Sequence, residues 1–486
     1  VGHSFLKTRS RTSYIDAQNY PSPAFDVASV AANIVDASAG LSEYAIESYF
    51  ARLSLAYKDR YVVNATIRTD GSSRFAPDCR WGWFPSVSVG WNVSNESFWN
   101  AEKTDLKIRA SYGRTGNQDG ISNYGWQALI SGGVNYGGQS GIAISSSGND
   151  RLTWETADQY NAGFDLSFLG GKINMIADVY LKNTNNLLYS KPVHATTGET
   201  SILSNIGSMR NKGVEFTINT HLNLGKVLWS SSFNIARNVN KLTSLLEDDL
   251  LSIGANRALK LGRTVGSWYI FRTDGIYQYD GEVPQALYDK GVRAGDVKYW
   301  DRNGDGNITD DDRIVTGNPN PKFSGGWNNT FKYKGLELSL FFTYSYGNDV
   351  YASWMIPGSK PGHTRSLLKA YADNRWTGPG TSDKYPRAIY SYSGWNGKNS
   401  TMYLTDGSFI RLRSVTLGYT FPQRLVSKIH LKGLRVYAQG DNVFLCSRYP
   451  GWDPETSVNL DPRFYGEDND GVPQPRIFKL GVNITF

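Results

Sequence analysis

The chain has 486 residues, a formal charge of +7 and an aromatic content of 13%, while only 20% of its residues are charged. No run of about 18 apolar residues exists, so the sequence predicts no transmembrane helix, although strands that cross a membrane give a much weaker signal. The Lys and Arg residues form no cluster interleaved with aromatic residues, which argues against nucleic-acid binding.

Alternating apolar and polar residues indicate β-strands along nearly the whole chain. In "YVVNATIR" (61–68), for example, Tyr61, Val63 and Ile67 share one face and Asn64 lies on the other. We expect thirteen strands, at about 45–57, 60–69, 83–94, 105–116, 155–168, 171–189, 206–222, 226–240, 322–332, 335–349, 405–421, 431–444 and 476–486. Many of these patterns exceed the roughly 5 to 6 residues of a globular strand and suit a bilayer crossing of about 9 to 11 residues.

The connections alternate in length. Short ones lie at 58–60, 170–171, 224–226 and 334–335, and long ones at about 70–82, 117–154, 190–205, 241–321, 350–404 and 446–475. Short turns at one end of the strands and long loops at the other are typical of outer-membrane barrels. Residues 263–278 also have the pattern of a strand. A single membrane crossing there would, however, move all the preceding short turns and long loops to the opposite side of the membrane. We therefore assign that segment to the long loop.

The beginning of the chain reads as the middle of a longer protein. Residues 1–44 are expected to form an extracellular loop or irregular segment after a missing N-terminal part, and residues 45–486 to form barrel. Single-chain bacterial barrels have an even number of strands. An odd number of strands is therefore expected to precede these thirteen.

A calcium-loop pattern stands out at "DRNGDGNITDDD" (301–312). The oxygen-bearing residues at its positions 1, 3, 5, 7 and 12 are Asp301, Asn303, Asp305, Asn307 and Asp312, and Gly306 allows the tight turn. Asp312 is shorter than the usual Glu and no helices flank the loop, which argues against a calcium sensor. Two interpretations stay open: a structural Ca²⁺ or Mg²⁺ site, or an acidic loop held by its own backbone hydrogen bonds.

Exposed aromatic residues beside Asp, Asn and Arg are typical of sugar-binding surfaces. The loops "YSYSGWNGKNSTMY" (390–403) and "SRYPGWDPETS" (447–457) have this composition. They suggest Trp395, Tyr449 and Trp452 as substrate or partner contacts. The alternative is that these rings pack the loops together.

Several phrases resemble the SusC/RagA-type TonB-dependent transporters of Bacteroidota. They include "RYVVNATIRTDGSSRFAPDCRWGWFPSVSVGWNVSNESFW" (60–99), "LKIRASYGRTGNQ" (106–118) and "DGSFIRLRSVTLGYTFP" (406–422), with further matches at 152–188, 205–220 and 301–342. The resemblance runs collinearly from about residue 40 to the end of the chain.

The resemblance implies an all-β, antiparallel transmembrane barrel of 22 strands in the bacterial outer membrane, of which these thirteen would be the last. It also implies an N-terminal plug, absent here, and a SusD-like surface lipoprotein that closes over the barrel as a lid. Import of oligosaccharides, or of peptides in some members, would be driven by the TonB complex through the missing N-terminal part.

The sequence offers no catalytic group, since its five histidines are isolated and have neither metal-ligand nor triad spacing. We therefore expect a nutrient importer that is not an enzyme and has no catalytic cofactor. The alternative is a soluble or surface-attached, calcium-stapled, β-rich carbohydrate-binding or adhesion protein.

Overall fold

Antiparallel strands make up most of the chain. The computed structural model describes residues 1–486 apart from residues 195, 197, 200, 246–248, 359–365 and 390–393. In chain order the first strands are β1 (Gly2–Gln18), β2 (Asn33–Tyr57), β3 (Tyr61–Ser72), β4 (Trp81–Asn92), β5 (Asp105–Asn117), β6 (Leu129–Gly132), β7 (Ile142–Ser146), β8 (Glu155–Phe168), β9 (Ile173–Asn185), β10 (Leu188–Pro192), β11 (Ser201–Asn205), β12 (Ser208–Leu224) and β13 (Val227–Ser244).

The second half of the chain alternates short and long strands. They are β14 (Leu250–Ser252), β15 (Ala258–Lys260), β16 (Trp268–Phe271), β17 (Thr273–Ile276), β18 (Val297–Tyr299), β19 (Arg313–Thr316), β20 (Phe323–Tyr333), β21 (Leu336–Tyr346), β22 (Asp349–Ala352), β23 (Leu404–Asp406), β24 (Phe409–Thr420), β25 (Gly433–Ser447), β26 (Glu467–Asp468) and β27 (Ile477–Thr485).

The helices are short. They are α1 (Gln285–Asp289), α2 (Met355–Gly358), α3 (Lys369–Asn374) and α4 (Gln423–Val426), and single 3-10 turns lie at Ala28–Val30, Pro77–Cys79, Val93–Asn95, Asp280–Glu282, Asp310–Asp312, Trp395–Gly397, Thr401–Tyr403 and Ser427–Ile429. None of the helices in the described part of the chain has both the length and the apolar character needed to cross a membrane.

Fourteen long strands, here called the wall strands, follow one another in a single hydrogen-bonded order. That order is β1-β2-β3-β4-β5-β8-β9-β12-β13-β20-β21-β24-β25-β27. Thirteen of them, from β2 onward, lie where the sequence predicted strands. The segment 263–278 is confirmed as part of a long loop, because its strands β16 and β17 pair with β19 and β18 in small sheets of their own.

The expectation for residues 1–44 was wrong, because most of them form strands. β1 pairs with β2 from Gly2 opposite Phe50 to Gln18 opposite Asn33, so β2 begins before the predicted residue 45. The number of wall strands among the described residues is consequently even, and the odd number expected to precede them no longer follows. The long connections lie between wall strands as predicted, and parts of those at 190–205, 241–321 and 350–404 fall outside the described residues.

The contacts divide the chain into two units. The first contains residues 1–91, 109–161 and 182–209, and the second residues 92–108, 162–181 and 210–486. In the first unit, β3 pairs with β2 and β4 in a regular register from Tyr61 opposite Trp91. Phe84 and Trp154 are buried there with their ring centroids 5.4 Å apart. A Cβ on Gly116 would lie 2.3 Å from the Phe84 ring, so glycine is needed at that close approach.

In the second unit the wall strands β13, β20, β21, β24, β25 and β27 pair antiparallel with their neighbours. Their side chains alternate between an apolar and a polar face, since successive residues of a strand point to opposite sides. On β20 and β21, Trp327 faces Phe342 and Phe331 faces Leu338, while Thr330 faces Ser339 on the other side. An apolar face and a polar face on one sheet suit a membrane barrel with a wet interior.

Candidate functional site

Three long connections of the second unit fold against one another. We call the described residues within 245–322, 347–408 and 448–476 the loop assembly. Its strands form the pairs β14-β15, β16-β19 and β17-β18 and the three-stranded sheet β23-β22-β26. Such long connections bury side chains of their own when they are functional rather than disordered. The loop assembly is therefore a folded structure carried on the wall strands.

Aromatic residues form much of the interior of the loop assembly. Trp268 and Tyr351 are fully buried, and their ring centroids lie 6.4 Å apart. Tyr403 packs edge-on to Tyr351 at 6.3 Å. Burial raises the pKa of both Tyr351 and Tyr403 above the usual range, because a phenolate would lose its hydration there. Both hydroxyls are therefore neutral hydrogen-bonding groups.

A buried carboxylate joins separate parts of the loop assembly. Both oxygens of Asp296, which is 2% exposed, accept hydrogen bonds from the Arg387 guanidinium at 2.9 and 3.0 Å. Asn396 Nδ2 donates to Asp296 Oδ1 at 2.9 Å, and Asn396 Oδ1 accepts from the Val297 backbone N–H at 2.8 Å. This two-point pairing fixes the segment around Asp296 to those around Arg387 and Asn396 in one geometry.

A second buried cation, Arg257, ties the loop assembly to its last segment. Its guanidinium donates to the carbonyl oxygens of Gly266, Phe464 and Tyr465 and lies 4.2 Å from the centre of a Trp268 ring. Burial lowers the pKa of Arg257 to about 10, so it remains charged at neutral pH. The positive charge is compensated by carbonyl dipoles and by the ring face.

A third buried pair connects a wall strand to residues 448–476. Arg411 of β24 is 2% exposed, and its Nη2 donates to Asp453 Oδ1, while Asp453 Oδ2 accepts from the Gln474 backbone N–H at 3.1 Å. Arg413 donates to Glu455 at 2.6 Å. The loop that carries Trp452 is thus fixed to the wall by charge pairs at its base.

A polar pocket of about 480 Å³ lies where the loop assembly meets β20, β21 and β24. Its charged and polar lining includes Arg263, Asn318, Lys322, Asp349, Asp406 and Ser408. Burial, and to a lesser extent the neighbouring Asp406 carboxylate, raise the pKa of Asp349, although the Asn318 backbone N–H donates to it at 2.8 Å. The pocket therefore combines two cations with two carboxylates, one of which, Asp349, is destabilised in its charged form.

The predicted calcium loop is held by its own backbone. The Asp301 carboxylate accepts from the N–H groups of Gly304 and Gly306, each at 2.7 Å. Asp312 is fully buried and accepts from the N–H groups of Arg302 at 2.9 Å and Thr309 at 2.8 Å. These contacts are the ones expected of an acidic loop that is held by its own backbone hydrogen bonds.

The remaining predicted ligands also have protein partners. Asn303 accepts from the N–H of Asp305, Asp305 accepts from the N–H of Asn307, and Lys290 Nζ lies 2.8 Å from Asn307 Oδ1. Among the residues that the structure describes, no three His, Cys, Asp or Glu side chains are placed to share a metal ion. Each carboxylate oxygen can accept a second contact, so the Ca²⁺ or Mg²⁺ assignment stays a prediction.

The three predicted aromatic contacts occupy different surroundings. Trp395 packs on the apolar core of the loop assembly and donates to the Val297 carbonyl at 2.9 Å. Tyr449 is 7% exposed, donates to Asp468 and accepts from Trp354 Nε1 at 3.0 Å. Trp452 is 81% exposed. Trp452 is therefore the one of these three whose ring can meet a ligand without rearrangement.

Sequence reasoning missed the buried charged residues Arg257, Asp296 and Arg411, and also Arg387, the half-buried partner of Asp296. Their partners lie far away in the chain, so no local pattern marks them. The only available signal was the presence of charged residues inside otherwise apolar segments, which is a weak one.

Comparison with protein families identifies the family to which the chain belongs. The family described as TonB dependent receptor-like, beta-barrel, matches residues 2–315. The chain belongs to the TonB-dependent receptor family. Its members are outer-membrane proteins, and so is this one. The soluble binding or adhesion protein considered above does not fit this family.

Relatives support the SusC/RagA-like assignment. TonB-dependent receptor P39 of Formosa agariphila is 31% identical over 490 residues, which is 91% of this chain and 46% of the relative. TonB-dependent receptor SusC of Bacteroides thetaiotaomicron is 31% identical over 464 residues, which is 90% of this chain and 43% of SusC. The chain thus spans about half the length of these relatives.

The fold has a counterpart among solved structures. The RagAB peptide transporter matches with a TM-score of 0.85 and 23% identity, over 100% of this chain and 52% of the other. A match at 23% identity is evidence for the fold alone. It confirms the all-β fold of the TonB-dependent barrel type.

Proposed function

We propose that the chain forms wall and outer loops of a transporter that imports nutrients across the outer membrane with energy from TonB. The family assignment carries this proposal, and the division of the wall strands into one apolar and one polar face supports it. No residue of the chain is given a catalytic role, because transport through a barrel requires no covalent chemistry from its wall.

The proposed cargo is an oligosaccharide, with a peptide as the second candidate. The exposed Trp452, held above the Arg411–Asp453 pair, is a suitable ring for stacking on a sugar face. The RagAB protein, whose fold is similar, is described as a peptide transporter. Growth separates the two: a deletion strain should grow poorly on one class of sole nutrient and normally on the other.

The proposed partner is a SusD-like surface lipoprotein. The hairpin β6-β7 exposes a row of apolar side chains, with Ile130 opposite Ile144 and Ile142 beside them, and the last two are 72% and 73% exposed. Tyr136 at the turn is 91% exposed. Apolar side chains gathered this way on a soluble surface usually mark an interface. Co-purification of a lipoprotein with the wild-type protein tests the partnership.

We propose that a cation bound by residues 301–312 would stabilise the loop assembly and would have no other role. It would neutralise Asp301, Asp305 and Asp312, whose carboxylates lie in one short loop. The failure of the cation proposal would leave the transport proposal intact.

A growth experiment tests the transport proposal itself. Cells that lack the gene should lose growth on one nutrient class, and a plasmid copy should restore it. Normal growth of the deletion strain on every glycan and peptide source of the wild type would count against import as the function.

A further inference from the structure

The outward face of β12 and β13 carries a feature that nutrient import does not use. The two strands are neighbours in the wall and are joined by the turn at residues 225–226. His221 Nδ1 lies 3.0 Å from Ser230 Oγ, and Asn240 Nδ2 donates to Asn211 Oδ1 at 2.9 Å. Both contacts fit one antiparallel register, and they mark the polar face of the pair.

The opposite face of β12 and β13 is apolar along most of its length. It consists of Val214, Phe216, Ile218, Leu222 and Leu224 on β12 and of Val227, Trp229, Phe233 and Ile235 on β13. Ten residue steps separate Val214 from Leu224, which is about 33 Å of strand at about 3.3 Å per residue. Tilted by about 40°, that length spans the apolar band of about 25 Å of an outer-membrane barrel. The lipid-facing surface therefore ends at Val214.

Three cations lie at that boundary or directly above it on the same face. Lys212 is two residues beyond Val214 on β12, and Arg237 and Lys241 continue the outward positions of β13. All three side chains are exposed. The Arg237 guanidinium lies 5.6 Å from the ring centre of Phe323, an outward residue of the next wall strand. We call these three residues the basic patch. It begins at the membrane interface, where the aromatic residues of a barrel lie beside the lipid headgroups.

The register places the cations of the basic patch close together. Lys212 lies opposite Val239 and therefore diagonal to both Arg237 and Lys241, at about 7 to 8 Å between backbones. In the described part of the chain none of the three forms an ion pair with a carboxylate. Arg210 points the same way but has interactions of its own, so the patch is defined without it. Like charges at this spacing repel one another unless an anion lies between them.

The patch lies at the end of β12 and β13 away from their short turn, and so on the side of the long loops. In outer-membrane barrels that side faces the cell exterior. We propose that the basic patch binds the phosphate groups of anionic lipids in the outer leaflet, with the acyl chains lying against the apolar surface below it. The proposal rests on the membrane location of the chain and is independent of its cargo.

Continuity with the lipid-facing surface favours a lipid over a dissolved anion. A phosphate held by the basic patch would place the attached acyl chains beside Val214 and Ile235, where the bilayer already lies. Arg237 supplies a planar guanidinium for two-point phosphate contact, and the two lysines supply compact charges on flexible stems. Together they match the charge of a phosphorylated glycolipid headgroup.

The test uses protein purified in detergent from its own outer membrane and reconstituted into phosphatidylcholine nanodiscs. Binding of a phosphorylated glycolipid is measured by native mass spectrometry for the wild type and for the triple variant Lys212→Gln, Arg237→Gln, Lys241→Gln. With roughly fivefold weaker binding for each cation removed, affinity should fall on the order of a hundredfold. The same glycolipid without phosphate should bind the wild type no better than it binds the variant.

The matched control removes three charges from the short-turn end of the same sheet, in the variant Lys226→Gln, Lys334→Gln, Lys428→Gln. It should bind as the wild type does. Equal binding by the wild type and the triple variant would overturn the proposal. So would displacement of the glycolipid by inorganic phosphate at equal concentration, which would indicate a site for free anions. If the triple variant does not fold, Lys241→Gln replaces it, and a loss below about twofold overturns the proposal.

Discussion

Asp296 and Arg387 lie 91 residues apart in the chain and meet in a two-point ion pair at 2.9 and 3.0 Å, in which the carboxylate is buried and the guanidinium half-buried. The pair connects two segments of the loop assembly that have no wall strand in common. Removing Arg387 leaves the buried Asp296 charge without its counter-ion, which costs more than the pair itself contributes.

We predict that Arg387→Gln lowers the stability of the loop assembly by about 3 to 5 kcal/mol. Hydrogen exchange should accelerate at residues 295–299 and 385–387, and the wall strands should keep their protection. Lys369→Gln breaks an exposed i,i+4 pair with Asp373 and serves as the control, with no change expected. If both variants exchange as the wild type does, the ion pair does not hold the loop assembly together.

The proposed cation should be visible in protection from proteolysis. We predict that adding Ca²⁺ to chelator-treated protein slows cleavage within residues 301–312, and that Asp305→Asn abolishes the effect. Asn can still accept the Asn307 N–H at that position, so the variant removes charge and keeps the turn. Asp311→Asn, at a position outside the ligand pattern, is the control. Identical cleavage of the wild type with EDTA and with Ca²⁺ would leave the self-bonded loop as the explanation.

The charged pocket predicts a dependence of stability on pH. Because the pKa of Asp349 is raised in the folded state, folding favours the protonated form, and ionisation of Asp349 destabilises the fold above its folded pKa. We predict that Asp349→Asn raises the unfolding temperature of the loop assembly at pH 7. The gain should shrink as the pH falls towards the ordinary value of 3.8.

Asp406→Asn separates the two causes of that shift. Since burial is the larger cause and the Asp406 carboxylate a smaller one, this variant should give a smaller gain at pH 7. A loss of stability in Asp349→Asn at pH 7 would contradict the assigned direction of the pKa shift.

The apolar hairpin predicts a partner-specific defect. The double variant Ile142→Asp, Ile144→Asp should reach the membrane in normal amounts and lose most of its co-purifying lipoprotein. Burial of the two side chains would contribute roughly 1.5 to 3 kcal/mol each, so the affinity should fall by at least about a hundredfold. The control is Ser131→Asp with Ala143→Asp, which changes the opposite face of the same hairpin. Equal recovery of the lipoprotein from all three proteins would place the interface elsewhere.

The wall strands could be predicted from the sequence because alternation and length leave a local mark in each strand. β1 was missed because its residues 7–11 carry three cations at alternate positions, so that its pattern looks like a polar loop. Its strand conformation depends on pairing with β2 over the whole length from Gly2 to Gln18. That pairing is not encoded within the segment itself.

The loop assembly was less predictable because its contacts join distant residues. Tyr449 looked like an exposed ring in a polar loop, yet it is buried by Trp354 and Asp468. Trp452, three residues further, has a similar local sequence and is exposed. Composition shows that these loops contain aromatic residues, and only the three-dimensional packing shows which of them remain accessible.

Energised accumulation of cargo by intact cells tests the proposed TonB-driven import. Labelled oligosaccharides or peptides from the nutrient class identified by growth would be offered to wild-type, deletion and uncoupler-treated cells. We predict accumulation in energised wild-type cells only, with surface binding but no accumulation after uncoupling. Equal accumulation in wild-type and deletion cells, or accumulation that persists without the proton gradient, would contradict import driven by TonB.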